Sequence, residues 1–146
     1  MRFMMIVKAS PESEAGVMPS RALIEAMGQF NQELLDAGVL LGGEGLQSSA
    51  KGARIIAAGG QKTVVDGPFP ETKELIAGYW MLKVKSRDEA IQWALKCPGP
   101  MEGNEGVLEL RQVFETEDFP ADVLTPEEAA HEEAMRAQLE KTAGRV

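Results

Sequence analysis

Histidine and cysteine each occur once in the chain, at His131 and Cys97. A lone cysteine cannot close an internal disulfide, and transition-metal centres draw on several His or Cys ligands, so neither a disulfide scaffold nor a metal site is expected. No P-loop, nucleophile elbow or Gly-x-Gly-x-x-Gly run joins a strand to a helix, and no cofactor is expected. No apolar stretch approaches the ~20 residues needed to span a bilayer, which argues against a membrane protein. Aromatic residues make up only 5 % of the chain and do not interleave with basic ones, so stacking platforms for nucleic acid are missing. The N-terminal run Arg2-Phe3-Met4-Met5-Ile6-Val7 is strand-like and not a charged segment leading into a long apolar one, from which a cytoplasmic protein is expected.

The 146 residues have room for one packed domain, and the net charge of −8 is unevenly spread. Residues 115–146 hold nine Asp or Glu against three bases, a net of −6, which leaves the body at −2. The division expected is therefore a domain over residues 1–114 followed by an acidic linker and helix over 115–146.

Along the body, Phe3, Met5 and Val7 alternate with Met4 and Ile6, which predicts a strand apolar on both faces. A polar loop is expected from Ser10 to Val17. Leu23, Met27, Phe30 and Leu34 recur at helical spacing, with Gly38 as a left-handed cap. Val39-Leu40-Leu41 starts a second strand running into Gly42-Gly43-Glu44-Gly45, where three glycines around one carboxylate suit a pocket wall. Arg54–Ala58 and Lys62–Val65 flank Gly59-Gly60, a hairpin signal. Ala77–Val84 reads as a strand, and Ser86 with Glu89 opens a helix that ends before Pro98. Cys97 reads as a small buried hydrophobe. After a glycine-containing loop over Met101–Gly106, Val107–Phe114 is the last strand, with Glu109 and Arg111 on one face. The order is α+β, a ferredoxin-like β-α-β-β-α-β with an inserted β-hairpin. One sheet face has no helices to cover it, which predicts a homodimer. Thr125-Pro126-Glu127-Glu128 caps a C-terminal helix whose thin stripe of His131, Met135 and Leu139 suits a surface contact.

The densest local pattern is Val64-Val65-Asp66-Gly67-Pro68-Phe69-Pro70-Glu71-Thr72-Lys73-Glu74-Leu75. Gly67 and Pro68 end the strand in a corner, and Pro70 suits the first position of a short helix. Asp66 is placed to accept a backbone N–H from Phe69 or beyond in the manner of an Asx-turn. This run closely resembles the signature of the DGPF-domain proteins, a branch of the YCII-related family. Gly42-Gly43-Glu44-Gly45-Leu46, Gly78-Tyr79-Trp80 and Glu109-Leu110-Arg111-Gln112-Val113 match the same pattern in order. The resemblance implies a ferredoxin-like fold paired as a dimeric α/β barrel, and leaves the reaction open.

Two functional readings follow. In the first, a small-molecule ligand sits at the strand ends: Asp66 or Glu44 acts as a general base, and Lys73, Glu71, Tyr79, Arg111 and Glu109 bind the ligand. Relatives with dehalogenating or lyase activity look like its precedent, although the histidine expected near the start of the first long helix is absent. In the second, the same charges fix the corner and the chain is a regulatory or interaction module, as the family's association with extracytoplasmic-function sigma factors implies.

Overall fold

The computed structural model of the chain describes residues 1–99 and 105–143. These divide into two compact units, Met1–Gln112 and Val113–Val146. The first unit is built on β1 (Arg2–Lys8), α1 (Pro11–Glu14), α2 (Arg21–Asp36), β2 (Leu40–Gly45), β3 (Ala53–Ala58), β4 (Gln61–Asp66), β5 (Ile76–Lys83), α3 (Arg87–Lys96) and β6 (Leu108–Gln112). The loop expected over Met101–Gly106 lies largely outside the described residues.

Strand alternation decides how this unit packs. Phe3 and Met5 of β1 stand beside Leu82 and Trp80 of β5, and Leu108 and Leu110 of β6 flank Val7 and Met5. All of these side chains belong to one core with Phe30, Leu34 and Met27 of α2 and Ala90, Trp93 and Ala94 of α3. Phe30 meets Trp80 edge-on with ring centroids 5.6 Å apart, and the Trp80 indole N–H donates to Asn31 Oδ1 at 2.7 Å, so the buried ring keeps its polar partner. The four strands form an antiparallel sheet in the order β2-β5-β1-β6. The fold is thus a mixed α+β arrangement with α2 and α3 on one face of the sheet.

β3 and β4 make a separate two-stranded sheet. Gly59 and Gly60, at φ of 58° and 76°, form the two-residue turn joining them, a backbone that other residues rarely adopt. Both faces of this hairpin are exposed, with Ile55 and Val64, directly paired, at 62 % and 63 %.

The structure departs from expectation in two places here. The polar loop after β1 contains α1, whose start is fixed by reciprocal bonds between Ser10 and Ser13. The last strand ends at Gln112, and Phe114 instead stacks on Phe119 at 5.0 Å within the second unit.

In the second unit a 3-10 turn at Thr116–Asp118 precedes α4 (Pro126–Ala143). Thr125 Oγ1 accepts from the Glu128 N–H and Glu128 Oε2 from the Thr125 N–H, and the Glu128 carboxyl is held below its ordinary range first by that Thr125 N–H and then by the Thr125 hydroxyl. Arg136 pairs with Glu115 at 3.1 Å and Thr116 donates to Glu133, tying the helix to the turn before it. No helix among the described residues is long and apolar enough to cross a membrane.

Candidate functional site

The sheet face away from α2 and α3 gathers four of the residues singled out from the sequence. Glu44 pairs with Tyr79, Tyr79 with Ile6, and Ile6 with Glu109, so one row crosses all four strands. The adjacent row reads Gly42, Met81, Met4, Arg111. Directly opposed residues have Cβ atoms roughly 5 Å apart, so Glu44 and Tyr79 stand side by side. That Glu44 lies on this face follows from its neighbour: a Cβ on Gly43 would come within 3.0 Å of the Trp80 side chain, on the helix side.

Within the face, Arg111 Nη1 lies 3.6 Å from Glu109 Oε2, an exposed pair whose strength is modest. The Glu44 carboxylate and the Tyr79 hydroxyl make no hydrogen bond or ion pair among the described residues. Met4, Met81 and Tyr79 are half-buried and Ile6 is buried, giving an apolar belt flanked by charges.

Asp66, Glu71 and Lys73 fall elsewhere, at the end of β4 and in the segment that leads to β5. The corner is fixed by residues the sequence reading did not single out. Ser49 Oγ accepts the Phe69 N–H at 3.0 Å and donates to Glu14 Oε2, while Glu14 Oε1 accepts the Ser49 N–H at 3.0 Å. Ser48 Oγ donates to the Glu14 carbonyl at 2.8 Å. The Gly67 N–H bonds the Gly52 carbonyl, and a Cβ on Gly67 would lie 1.7 Å from the Ser49 carbonyl oxygen, so only glycine fits. The Gly67–Pro68 peptide is cis.

This arrangement corrects the Asx-turn expected at Asp66. The Phe69 N–H that Asp66 was expected to bind goes to Ser49, because the Ser48–Lys51 turn passes directly beneath the corner. Asp66 is exposed and, like Lys73, has no side-chain partner among the described residues. The short helix expected after Pro70 is a single 3-10 turn, Thr72–Glu74.

Arg54 is the second unforeseen residue. Its guanidinium carbon sits 3.9 Å from the Phe69 ring centroid, and its Nη1 lies 3.1 Å from Glu71 Oε2. Glu71 is held below the usual carboxylate range first by its own backbone N–H, which outweighs the opposing effect of burial, and then by the hydrogen bond and charge of Arg54. Arg54 therefore clamps the hairpin to the corner. The signal available was its place in an otherwise apolar strand, on the face opposite to that of Asp66. Lys8 Nζ also reaches the Glu74 carbonyl at 3.4 Å, and the Ala9 N–H the Leu75 carbonyl at 3.0 Å, so the corner abuts the end of β1.

Cys97 packs against the core with its thiol pushed up to about 11 by burial, which keeps it protonated and unreactive at neutral pH. Among the described residues no group of three or more His, Cys, Asp or Glu is placed to hold a metal ion. A shallow open groove in the second unit is lined by Val123, Leu124, Glu127, Glu128, His131 and Glu132, and none of the predicted site residues lies in it.

An antiparallel sheet backed by two helices, with charged residues in register on its other face and a hairpin locked to a Gly-Pro corner, defines a small α+β domain. The YCII-related domain model matches residues 1–117, and the chain belongs to that family. A comparison with curated proteins finds no match.

Proposed function

We propose that the YCII-related unit belongs to the DGPF branch and binds a small organic acid on the sheet face that carries Glu44, Tyr79, Glu109 and Arg111. In this reading the unit is a ferredoxin-like fold with an inserted hairpin, and two copies pair sheet to sheet as a dimeric α/β barrel in the cytoplasm. The observation that carries it is the register: residues from β2, β5, β1 and β6, far apart in sequence, fall into one row on the face that the helices leave uncovered. Arg111 supplies the cation for a ligand carboxylate or enolate oxygen. Glu44 supplies a carboxylate beside the Tyr79 hydroxyl at the opposite edge of the sheet, three strands or roughly 14 Å from Arg111, so it takes a proton only from a ligand that reaches across the sheet. Lys73 and Glu71 belong to the rim formed by the corner, and Asp66, turned to the other face of the hairpin from Arg54, is the less well placed of the two candidate bases.

The test is a titration of isotopically labelled protein with a panel of small 2-oxo and 3-oxo carboxylic acids in the millimolar range. The expected result is a cluster of shifted amide resonances at Ile6, Tyr79 and Glu109, abolished by Arg111→Gln. Shifts scattered over the surface, or a cluster that survives in the Arg111→Gln variant, contradict the assignment.

The regulatory reading draws on a different observation, the exposed apolar hairpin. Ile55, Ile56, Val64 and Val65 offer a surface for a protein partner, of the kind a module associated with extracytoplasmic-function sigma factors would use.

A further inference from the structure

Within its own unit α4 uses only one side. Glu133 accepts from Thr116 and Arg136 pairs with Glu115, so the side that carries these two residues lies on the 3-10 turn. His131, Met135 and Leu139 recur every four residues, which stacks them along the helix on a different side. All three are exposed, Leu139 at 66 %. At its N-terminal end this stripe runs into the open groove lined by Val123, Leu124, Glu127, Glu128, His131 and Glu132, with a volume of about 480 Å³. α4 lies outside the matched residues 1–117, so this surface is additional to the domain that the family shares.

The groove combines two apolar side chains with three carboxylates, and no Lys or Arg lines it. Glu127 and Glu128 stand in the first turn, where they suit the helix dipole, and the Thr125 N–H keeps Glu128 ionised. The dipole does not account for Glu132 in the second turn, nor for Val123 at 65 % exposure beside it. An acidic lipid surface or a phosphate backbone would meet three like charges here. Among the described residues no three His, Cys, Asp or Glu are placed to hold a metal ion, so a compact cation does not match the groove either. Lysine and arginine side chains do match it, because their methylene stems lie on apolar surface while the charged head reaches a carboxylate. From Glu127 to Leu139 the helix rises roughly 18 Å, enough to seat a partner helix of about three turns.

We propose that this side of α4 is a docking surface for a basic amphipathic helix of a partner protein, with Lys or Arg side chains in the groove and apolar ones along Met135 and Leu139. The three carboxylates lie at the N-terminal end of the stripe and Lys141 lies in the last turn of α4, so the basic end of the partner is directed to the groove.

A labelled peptide of about five helical turns, with Lys and Leu placed to give one apolar stripe, serves as the probe in fluorescence anisotropy against the full chain. Micromolar binding is expected, about tenfold weaker for a scrambled peptide of the same composition and for the Val123→Asp and Glu132→Lys proteins. Glu33→Lys, an equal change of charge at an exposed position of α2, should bind the probe like wild type. Should Val123→Asp or Glu132→Lys lose helix by circular dichroism, Glu132→Gln keeps the shape, removes the charge and is expected to weaken binding severalfold. Failure of the probe to bind overturns the proposal. So does a scrambled peptide bound as tightly, or a loss in Glu33→Lys equal to that in Glu132→Lys, since either means unspecific attraction to an acidic chain. Self-association of the full chain that Val123→Asp abolishes would make a second copy the occupant and also overturn it.

Discussion

Replacing Ser49 by alanine removes the single hydroxyl that joins α1 to the Gly-Pro corner. The variant loses a charge-assisted bond to Glu14, of the class that contributes about 1.5–3 kcal/mol, and the acceptor for the Phe69 N–H, about 0.5–1.5 kcal/mol. Ser49 and Glu14 are partly exposed, so water recovers some of this, and a net loss of about 2 kcal/mol is expected. For a domain of this size that lowers the melting temperature by about 8 °C. Both tryptophans, Trp80 and Trp93, lie in the first unit's core, so fluorescence melting reports on that unit specifically. Asp66→Ala is the matched comparison. Its side chain is exposed and has no partner among the described residues, so the change should stay within about 0.5 kcal/mol. A large drop for Asp66→Ala with little for Ser49→Ala would refute the account of how the corner is held.

Two further outcomes are expected. Gly67→Ala drives a Cβ into the Ser49 carbonyl and should destabilise by at least about 2 kcal/mol, whereas Gly28→Ala, in α2 with open space around it, should stabilise by about 0.5–1 kcal/mol; thermal melts of the pair check both. For Cys97, burial raises the thiol from an ordinary 9.0 to about 11, so its contribution is fully present below pH 9 and is lost as pH rises toward 11; thiol labelling should be slow at pH 8 in the native protein and fast in denaturant.

The elements of the first unit were legible in its sequence wherever a period was imposed by a single core. Phe3, Met5 and Val7 announced β1, and Leu23, Met27, Phe30 and Leu34 announced α2, because each set faces the same apolar layer. The choice between Tyr79 and Trp80 for the uncovered face was open in the sequence, since both are aromatic and adjacent. Pairing settles it, with Trp80 beside Met5 in the core and Tyr79 beside Ile6 on the other side. Glu109 and Arg111 were readable as sharing a face from their spacing alone. That Glu44 joins them depends on a shift in pairing between Leu40 and Gly42, which local pattern does not reveal.

The corner was legible as a corner but not in its chemistry. Gly67 and Pro68 dictate a turn, yet the groups that hold it, Glu14 and Ser49, lie far upstream in sequence. A polar side chain that finds its partner over such a separation leaves no periodic trace. Asp66 drew attention because it stood inside the motif, while Ser49 stood in an unremarked Ser-Ser pair. Arg54 looked like one residue of an exposed strand until Phe69 and Glu71 folded against it.

The claim on which the rest depends is that the face bearing Glu44, Tyr79, Ile6 and Glu109 is covered by a second copy. Light scattering after size exclusion, over a range of protein concentrations, tests it most directly when wild type is compared with Met81→Lys, which places a charge in the middle of the apolar belt. The account predicts twice the 15.8 kDa chain mass for wild type and a shift toward 15.8 kDa for the variant. A wild-type mass of 15.8 kDa at every concentration, or a Met81→Lys protein as fully dimeric as wild type, would contradict it.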